Sequence, residues 1–295
     1  MRIVEQTKTD KLTSISADSM GELWRYLSTH KRYQTYVHYV ADKNSFKWEW
    51  YTGSQARGKT PDDLWAYCKE CLEFGWMDGA SKIRELAKQA DLTIEPEYGA
   101  RHRRSRKPSV AGRLNVPSLL AGSPLPFRRR SRPIRDGRIL SVLIHQTAHS
   151  GLTGSEVLAF GVAAAAAITA IEALDIRCEV YLAFCGESSD RARRYSIKTR
   201  VKDSHDDLHL PSFSYAVGNP SAFRLIMLAA GNCVSPKDND KYWINESGGV
   251  IVHDLPKRIT AGHDHSVQIE PDWGLDSLGQ YKRILDQFTK AVGAM

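Results

Sequence analysis

Apolar positions at helical spacing mark the first predicted elements of the chain. In "SADSMGELWRYLSTH", Met20, Leu23, Trp24 and Leu27 recur on one helical face, behind residues that are typical helix caps. "TPDDLWAYCKECLEFGW" has a Thr cap, a Pro at the first helical position and acids in the first turn, and it is predicted to end at Gly75. "ASKIRELAKQADL" predicts a further short helix. The apolar stripe of the second helix consists of Leu64, Trp65, Cys68, Cys71 and Leu72.

A strand and a high density of aromatic residues complete this first region. "SFKWEWYTG" alternates aromatic and polar residues, which is typical of a half-exposed strand. Thirteen of the chain's 27 aromatic residues lie between Trp24 and Trp76, and large aromatic side chains dominate the cores of small domains. We therefore predict a small, aromatic-rich α+β region over residues 1–100.

Strands and helices alternate from Arg138 to the end. The predicted strands are "RILSVLIH", "IRCEVYLAF", "RYSIKTRVK", "GGVIVHDL" and "HSVQIEP". The predicted helices are "GSEVLAFGVAAAAAITAIEAL", "NPSAFRLIMLAAG" and "GLDSLGQYKRILDQFTKAVG". Branched apolar runs between helices indicate an α/β fold, a three-layer sandwich with a mostly parallel sheet, over residues 138–295. "RYSIKTRVK" alternates in polarity, so we expect it close to an edge of the sheet.

Positive charge is concentrated between these two regions. The chain has a net charge of +7, but the segment from Arg101 to Arg138 has twelve Arg or Lys and one acid, whereas the remainder has 29 bases and 33 acids. The segment is also rich in Pro, Gly and Ser, which predicts an arm or linker over residues 101–137. A cationic segment on a mildly acidic body is the electrostatic footprint of a protein that binds polyanions, most often nucleic acid.

Composition and motifs exclude several other classes. The best apolar run, Ala159 to Ala173, contains Glu172 and falls short of a membrane span, and the N-terminus lacks the features of a secretory signal, so we expect a cytoplasmic protein. The five cysteines are an odd number in apolar settings, which favours burial over disulfides. Ser150 and Ser155 lack the nucleophile elbow of serine hydrolases. We predict no cofactor.

Two motifs in the first region have structural explanations. Gly53 and "GKT" (Gly58, Lys59 and Thr60) match the P-loop pattern, but the strand before them is half charged and Pro61 removes an amide from the opening turn. Thr60 is better explained as a helix cap. The "CKEC" pair lies inside a predicted helix without further zinc ligands, which favours buried packing. An ATPase that uses the P-loop match stays an alternative.

The stretch "VLIHQTAHSGLTGSE" predicts a strand, a polar loop and a helix, and it resembles the first strand and metal-site loop of a von Willebrand factor A domain. The order of elements over residues 138–295 is similar as well. The resemblance implies a metal site of the form Asp-x-Ser-x-Ser, but the aligned positions are His145, Thr147 and His149, which are poor ligands for Mg²⁺. We therefore expect no bound metal here. A transition-metal hydrolase that uses histidine loops stays an alternative.

The segments "WYTG", "CLEFGWMDG", "NVPSLLAGSP" and "LSVLIH" together resemble an uncharacterised family of tailed-bacteriophage proteins. This resemblance implies an accessory role during infection, in phage DNA or transcription, in the host cytoplasm.

We therefore predict a non-enzymatic accessory protein that binds nucleic acid, with single-stranded DNA favoured, and that recruits a protein such as a polymerase. Trp48 and Trp50 are candidates for stacking on bases, although burial in the core is the favoured explanation for them. A protein-interaction adaptor with a degenerate metal site is the alternative. The residues predicted to contact phosphates are Arg101, Arg103, Arg104, Arg106, Lys107, Arg113, Arg128, Arg129, Arg130 and Arg132.

Overall fold

A computed structural model describes the chain over residues 2–5, 12–30, 61–92, 105–109, 113–114, 127–131, 139–145, 153–174, 176–187, 194–227, 229–231, 266–272 and 274–293. The strands in these ranges are β1 (Arg2–Glu5), β2 (Leu12–Ala17), β3 (Ser105–Ser109), β4 (Arg113–Leu114), β5 (Phe127–Ser131), β6 (Ile139–His145), β7 (Arg177–Glu187), β8 (Arg194–Lys202) and β9 (Ser266–Ile269). The helices are α1 (Met20–Ser28), α2 (Pro61–Phe74), α3 (Met77–Gln89), α4 (Gly154–Ala173), α5 (Leu210–Gly218), a π-helix (Ala222–Met227) and α6 (Ser277–Gly293).

The helices of the first region form where the sequence predicts them. Ser19 caps α1, accepting a hydrogen bond of 3.1 Å from the backbone N–H of Glu22, and the predicted apolar face of this helix is buried. Helix α2 ends at Phe74, and the following Gly75, where the sequence predicts the end, adopts a left-handed conformation with φ of 83°. A Cβ at this position would lie 2.5 Å from Cβ of Pro211, so both the turn and the packing require glycine. The predicted strand "SFKWEWYTG" lies outside the described residues.

The largest sheet of the described chain has six strands in the order β1-β2-β8-β7-β6-β9. Three of its five strand pairs are parallel, namely β2 with β8, β7 with β6, and β6 with β9. The protein is therefore an α/β protein with a mixed, mostly parallel sheet, as the sequence predicts at this level.

The prediction that "RYSIKTRVK" lies near an edge is wrong. This segment forms β8, which pairs with β7 on one side and with β2 on the other. Its alternation has a different cause, because burial alternates along the middle of the strand: Ile197 and Thr199 are buried, whereas Lys198 and Arg200 are partly exposed. The predicted strand "GGVIVHDL" lies outside the described residues.

Helix α4 lies at the centre of the helical layer. It contacts α3, α5, α6 and strand β7, and its alanine run is buried on all sides. Among the described residues it is also the helix that is long and apolar enough to cross a membrane, with a mean hydropathy of 1.7. However, 72% of that window is buried inside the protein, as in the core helix of a globular fold.

The described parts of the first and third regions share one hydrophobic core. Ile15 and Leu23 belong to the same cluster of buried residues as Leu140 and Phe184, and β2 is hydrogen-bonded to β8 within one sheet. The predicted boundaries at residues 100 and 137 therefore do not separate two cores.

The segment "NPSAFRLIMLAAG" is predicted to be one helix, and its described residues after Asn219 are helical, with a π-helix over Ala222–Met227. Asn219 follows α5 in an extended conformation, and its side-chain oxygen accepts hydrogen bonds from the N–H and the hydroxyl of Ser221, at 2.9 and 2.8 Å. Its side-chain nitrogen donates to the hydroxyl of Tyr67 in α2, at 2.8 Å. These bonds fasten α2 to the start of the next helix.

Candidate functional site

The basic segment contains three short strands that form a second, antiparallel sheet in the order β3-β5-β4. Six of the twelve residues in these strands are Arg or Lys, and none is Asp or Glu. Sequence reasoning predicted an arm or linker and missed the strands, because the tract has few branched apolar residues and many prolines and like charges.

The register of this small sheet places cations directly opposite one another. Residues opposite each other in an antiparallel pair have Cα atoms about 4.5–5.5 Å apart, and like charges in such positions destabilise a sheet. A bound polyanion would compensate this repulsion. The cationic pairs are Arg106 with Arg130, Lys107 with Arg129, and Arg113 with Arg128.

Six of the predicted phosphate-binding residues therefore lie together on one sheet. The other predicted site residues, apart from His145, lie outside the described residues: Arg101, Arg103, Arg104, Arg132, Trp48, Trp50, Thr147 and His149. The P-loop match, residues 53–60, also lies outside the described residues, and α2 begins directly after it at Pro61.

His145 is the last residue of β6, at the edge where the von Willebrand factor A resemblance places a metal site. The side chain is fully buried, and its Nδ1 lies 3.7 Å from Oε1 of Glu270. Glu270 comes directly after β9, which runs parallel to β6, so the two carboxyl ends meet at one edge. The Glu270 side chain is 31% exposed. The edge therefore pairs an imidazole with a carboxylate.

Sequence reasoning missed Glu270. The available signal was an acid directly after the predicted strand "HSVQIEP", but the partner of that strand was unknown from sequence. Within the residues that the structure describes, no group of three or more His, Cys, Asp or Glu is arranged to hold a metal ion. One imidazole and one carboxylate are fewer protein ligands than a Zn²⁺ site has.

Helix α4, which follows β6 in the chain, has the negative charge of Glu156 in its first turn. Thr153 caps α4 and accepts a hydrogen bond of 3.4 Å from the backbone N–H of Glu156, while the Glu156 carboxylate accepts one of 2.8 Å from the backbone N–H of Thr153. This capping box satisfies amides that would otherwise be available to an anion. Phosphate binding at the amino end of α4 is therefore disfavoured.

The "CKEC" pair is confirmed as part of the core. Cys68 and Cys71 are 1% and 4% exposed and neither forms a disulfide. Burial raises the pKa of the Cys68 thiol to about 11 and that of Cys71 to about 12. A reactive cysteine needs a lowered pKa, so this pair is unsuited to redox or nucleophilic chemistry.

We expect both thiols to resist alkylation by iodoacetamide at pH 8 in the folded protein. With these pKa values only about one thiol in 10³–10⁴ is a thiolate at that pH, and access is blocked as well. Peptide mass spectrometry measures labelling at each cysteine, with the protein in denaturant as the control. Rapid labelling of the folded chain at Cys71 would contradict the assignment to the core.

Because the folded thiols hold their protons more tightly than unfolded ones, their contribution to stability is present below pH 9 and decreases as the pH rises above it.

The fold and this site define an α/β protein with a mixed central sheet and a separate cationic sheet inserted before β6. The model of the family described as a domain of unknown function, DUF7192, matches residues 4–264. The chain belongs to this family. No curated protein and no solved structure matches it.

Proposed function

We propose that this protein binds nucleic acid through the sheet β3-β5-β4. The observation that carries the proposal is the register, which pairs cation with cation at three positions in strands that contain no acid. Such a sheet has like-charge repulsion that a bound polyanion would relieve. A polyphosphate backbone supplies many such anions along one line.

Single-stranded nucleic acid fits this surface better than a duplex. Strands of five residues are about 17 Å long, so the sheet covers a short stretch of backbone. Outside the segment from Arg101 to Arg138 the chain has 33 acids and 29 bases, and this part would repel a stiff duplex that extends past the segment. A flexible single strand of nucleic acid can follow the protein sheet over this short length and bend away from it at either end.

The wider role belongs to the same proposal. We propose an accessory protein without catalytic activity, in the cytoplasm of a phage-infected host, that brings nucleic acid to a protein such as a polymerase. A three-layer domain of the von Willebrand factor A type would supply the protein-binding part. The strand order β8-β7-β6-β9, with α4 directly after β6, supports that resemblance.

Binding of a fluorescent 20-nucleotide oligothymidylate should depend steeply on salt. Each Arg or Lys that neutralises one phosphate adds about −0.7 to the slope of log K against log[salt], so the slope has a limit of about −4, which is reached when all six of these residues of the strands do so. Affinity then decreases about 300-fold between 50 and 200 mM salt. Fluorescence anisotropy over this range measures the slope.

Two comparisons make this test decisive. The variant with all six residues replaced by Ser should lose the salt-dependent binding, whereas replacement of Lys282 and Lys290 on α6 should leave it unchanged. A wild-type protein that does not bind the oligonucleotide at 50 mM salt would refute the proposed function. Tighter binding to a duplex of the same length would contradict the preference for single strands.

A further inference from the structure

The two faces of the sheet β3-β5-β4 differ in composition. Residues directly opposite each other share a face, and residues along a strand alternate between faces. One face, here called the arginine face, consists of Arg106, Pro108, Arg113, Arg128 and Arg130. The other, here called the mixed face, consists of Ser105, Lys107, Ser109, Leu114, Phe127, Arg129 and Ser131.

The mixed face contains the apolar pair of the sheet. Leu114 and Phe127 are directly opposite each other in the register. A three-stranded sheet is stable when it has an apolar face that can be covered, and apolar residues favour positions away from water. By composition the mixed face is suited to be covered, and the arginine face is not.

The four arginines of the arginine face follow one diagonal line. Arg130 and Arg128 lie two residues apart on the central strand β5, Arg106 is opposite the first on β3, and Arg113 is opposite the second on β4. From strand spacing and rise, the line measures about 12 Å from end to end. A single phosphodiester backbone, which carries its charges in one row, matches this arrangement.

We propose that the arginine face alone contacts the phosphate backbone of single-stranded nucleic acid, an inference that rests on the proposed function. The face has no aromatic residue among its strand positions, so it supplies no platform for base stacking. Its arginines donate bidentate hydrogen bonds to phosphate oxygens, which carry no base sequence. Recognition by this face is therefore independent of base sequence.

A pair of matched double variants tests this inference on the full chain. Arg106→Ser with Arg130→Ser removes one cationic pair from the arginine face. Lys107→Ser with Arg129→Ser removes the neighbouring pair, on the same two strands, from the mixed face. Both variants lose two positive charges and one repulsive contact on the same two strands, and they differ in the face that is changed and in the removal of a Lys instead of one Arg.

The first variant should lower the salt slope for oligothymidylate by about 1.4 and the affinity at 0.1 M salt by about 25-fold, because each lost phosphate contact contributes about 0.7 to the slope. The second should leave the slope unchanged. Arg106→Lys with Arg130→Lys should retain the slope, since the charge remains, and circular dichroism verifies that each variant is folded.

Equal losses in the two Ser variants, or a larger loss from the mixed face, would overturn the assignment of the face while leaving the proposed function intact. If the wild-type protein showed no salt-dependent binding to the oligonucleotide, the proposed function itself would be refuted.

Discussion

Replacement of Lys202 by Met is expected to lower the free energy of unfolding by about 3–5 kcal/mol, because it leaves a buried carboxylate without its cation. The Lys202 Nζ lies 2.7 Å from Oε1 of Glu172, and the two side chains are 2% and 6% exposed. Nζ also donates to the backbone oxygens of Cys178 and Asp203, at 2.9 and 3.2 Å. Urea denaturation of the two proteins measures the difference.

The position of this ion pair explains the size of the effect. Glu172 is in the last turn of α4, and Lys202 is the last residue of β8. Cys178 is in β7, and its backbone N–H donates a hydrogen bond of 3.3 Å to the Glu172 carboxylate. The pair therefore joins the central helix to two strands of the sheet. Water cannot replace the lost partner at this depth.

Two controls separate charge from packing in this experiment. The double variant Glu172→Met with Lys202→Met has no buried charge, and it should recover most of the lost stability. Lys290→Met breaks the exposed pair of Lys290 with Asp286, which is 2.6 Å long on the surface of α6, and should cost about 0.3–0.5 kcal/mol. A Lys202 variant that costs no more than the Lys290 variant would contradict a buried ion pair.

Phe184→Ala is expected to lower the free energy of unfolding by about 3–5 kcal/mol. Phe184 is fully buried at the sheet surface, and its ring meets the ring of Phe223 edge to face, with centroids 5.3 Å apart. Truncation removes this contact and leaves a cavity between β7 and the π-helix, so both the transfer free energy and the packing are lost. Thermal and urea denaturation measure the change.

Phe74→Ala provides the matched control, because Phe74 is 64% exposed at the end of α2. Its removal should change the stability by no more than about 0.5 kcal/mol. Phe184→Leu keeps most of the buried volume and should cost clearly less than Phe184→Ala. If the two Ala variants were equally stable, the packing of the π-helix against β7 would be wrong.

Helices and strands with a clear local sequence pattern were predicted correctly, whereas features that depend on contacts between distant parts of the sequence were missed. Helix α1 and helix α4 each have a cap followed by an apolar pattern, and strand β6 is rich in branched apolar residues, so all three form as predicted. The polar alternation of β8 has no such unique cause, because an edge strand and a central strand with one partly exposed face alternate alike. Its second neighbour, β2, lies far away in the sequence.

The candidate site shows the same division. The cationic residues were evident from composition, but their pairing depends on a register that no single stretch of sequence specifies. Glu270 reaches His145 because β9 happens to pair with β6, and periodicity alone does not reveal which strands are neighbours. The charge of the site was therefore predictable, whereas its geometry was not.

The parallel pairing of β2 with β8 has a consequence for biosynthesis. Leu12 pairs with Arg194, so β2 has β1 on one side but lacks its partner β8 on the other until the ribosome has made about 180 further residues. At about 5–20 residues per second this wait lasts roughly 10–35 s. During that time the edge of β2 that later pairs with β8 is open to chaperones and to other nascent chains, and the sheet is completed only when this early strand meets a late one.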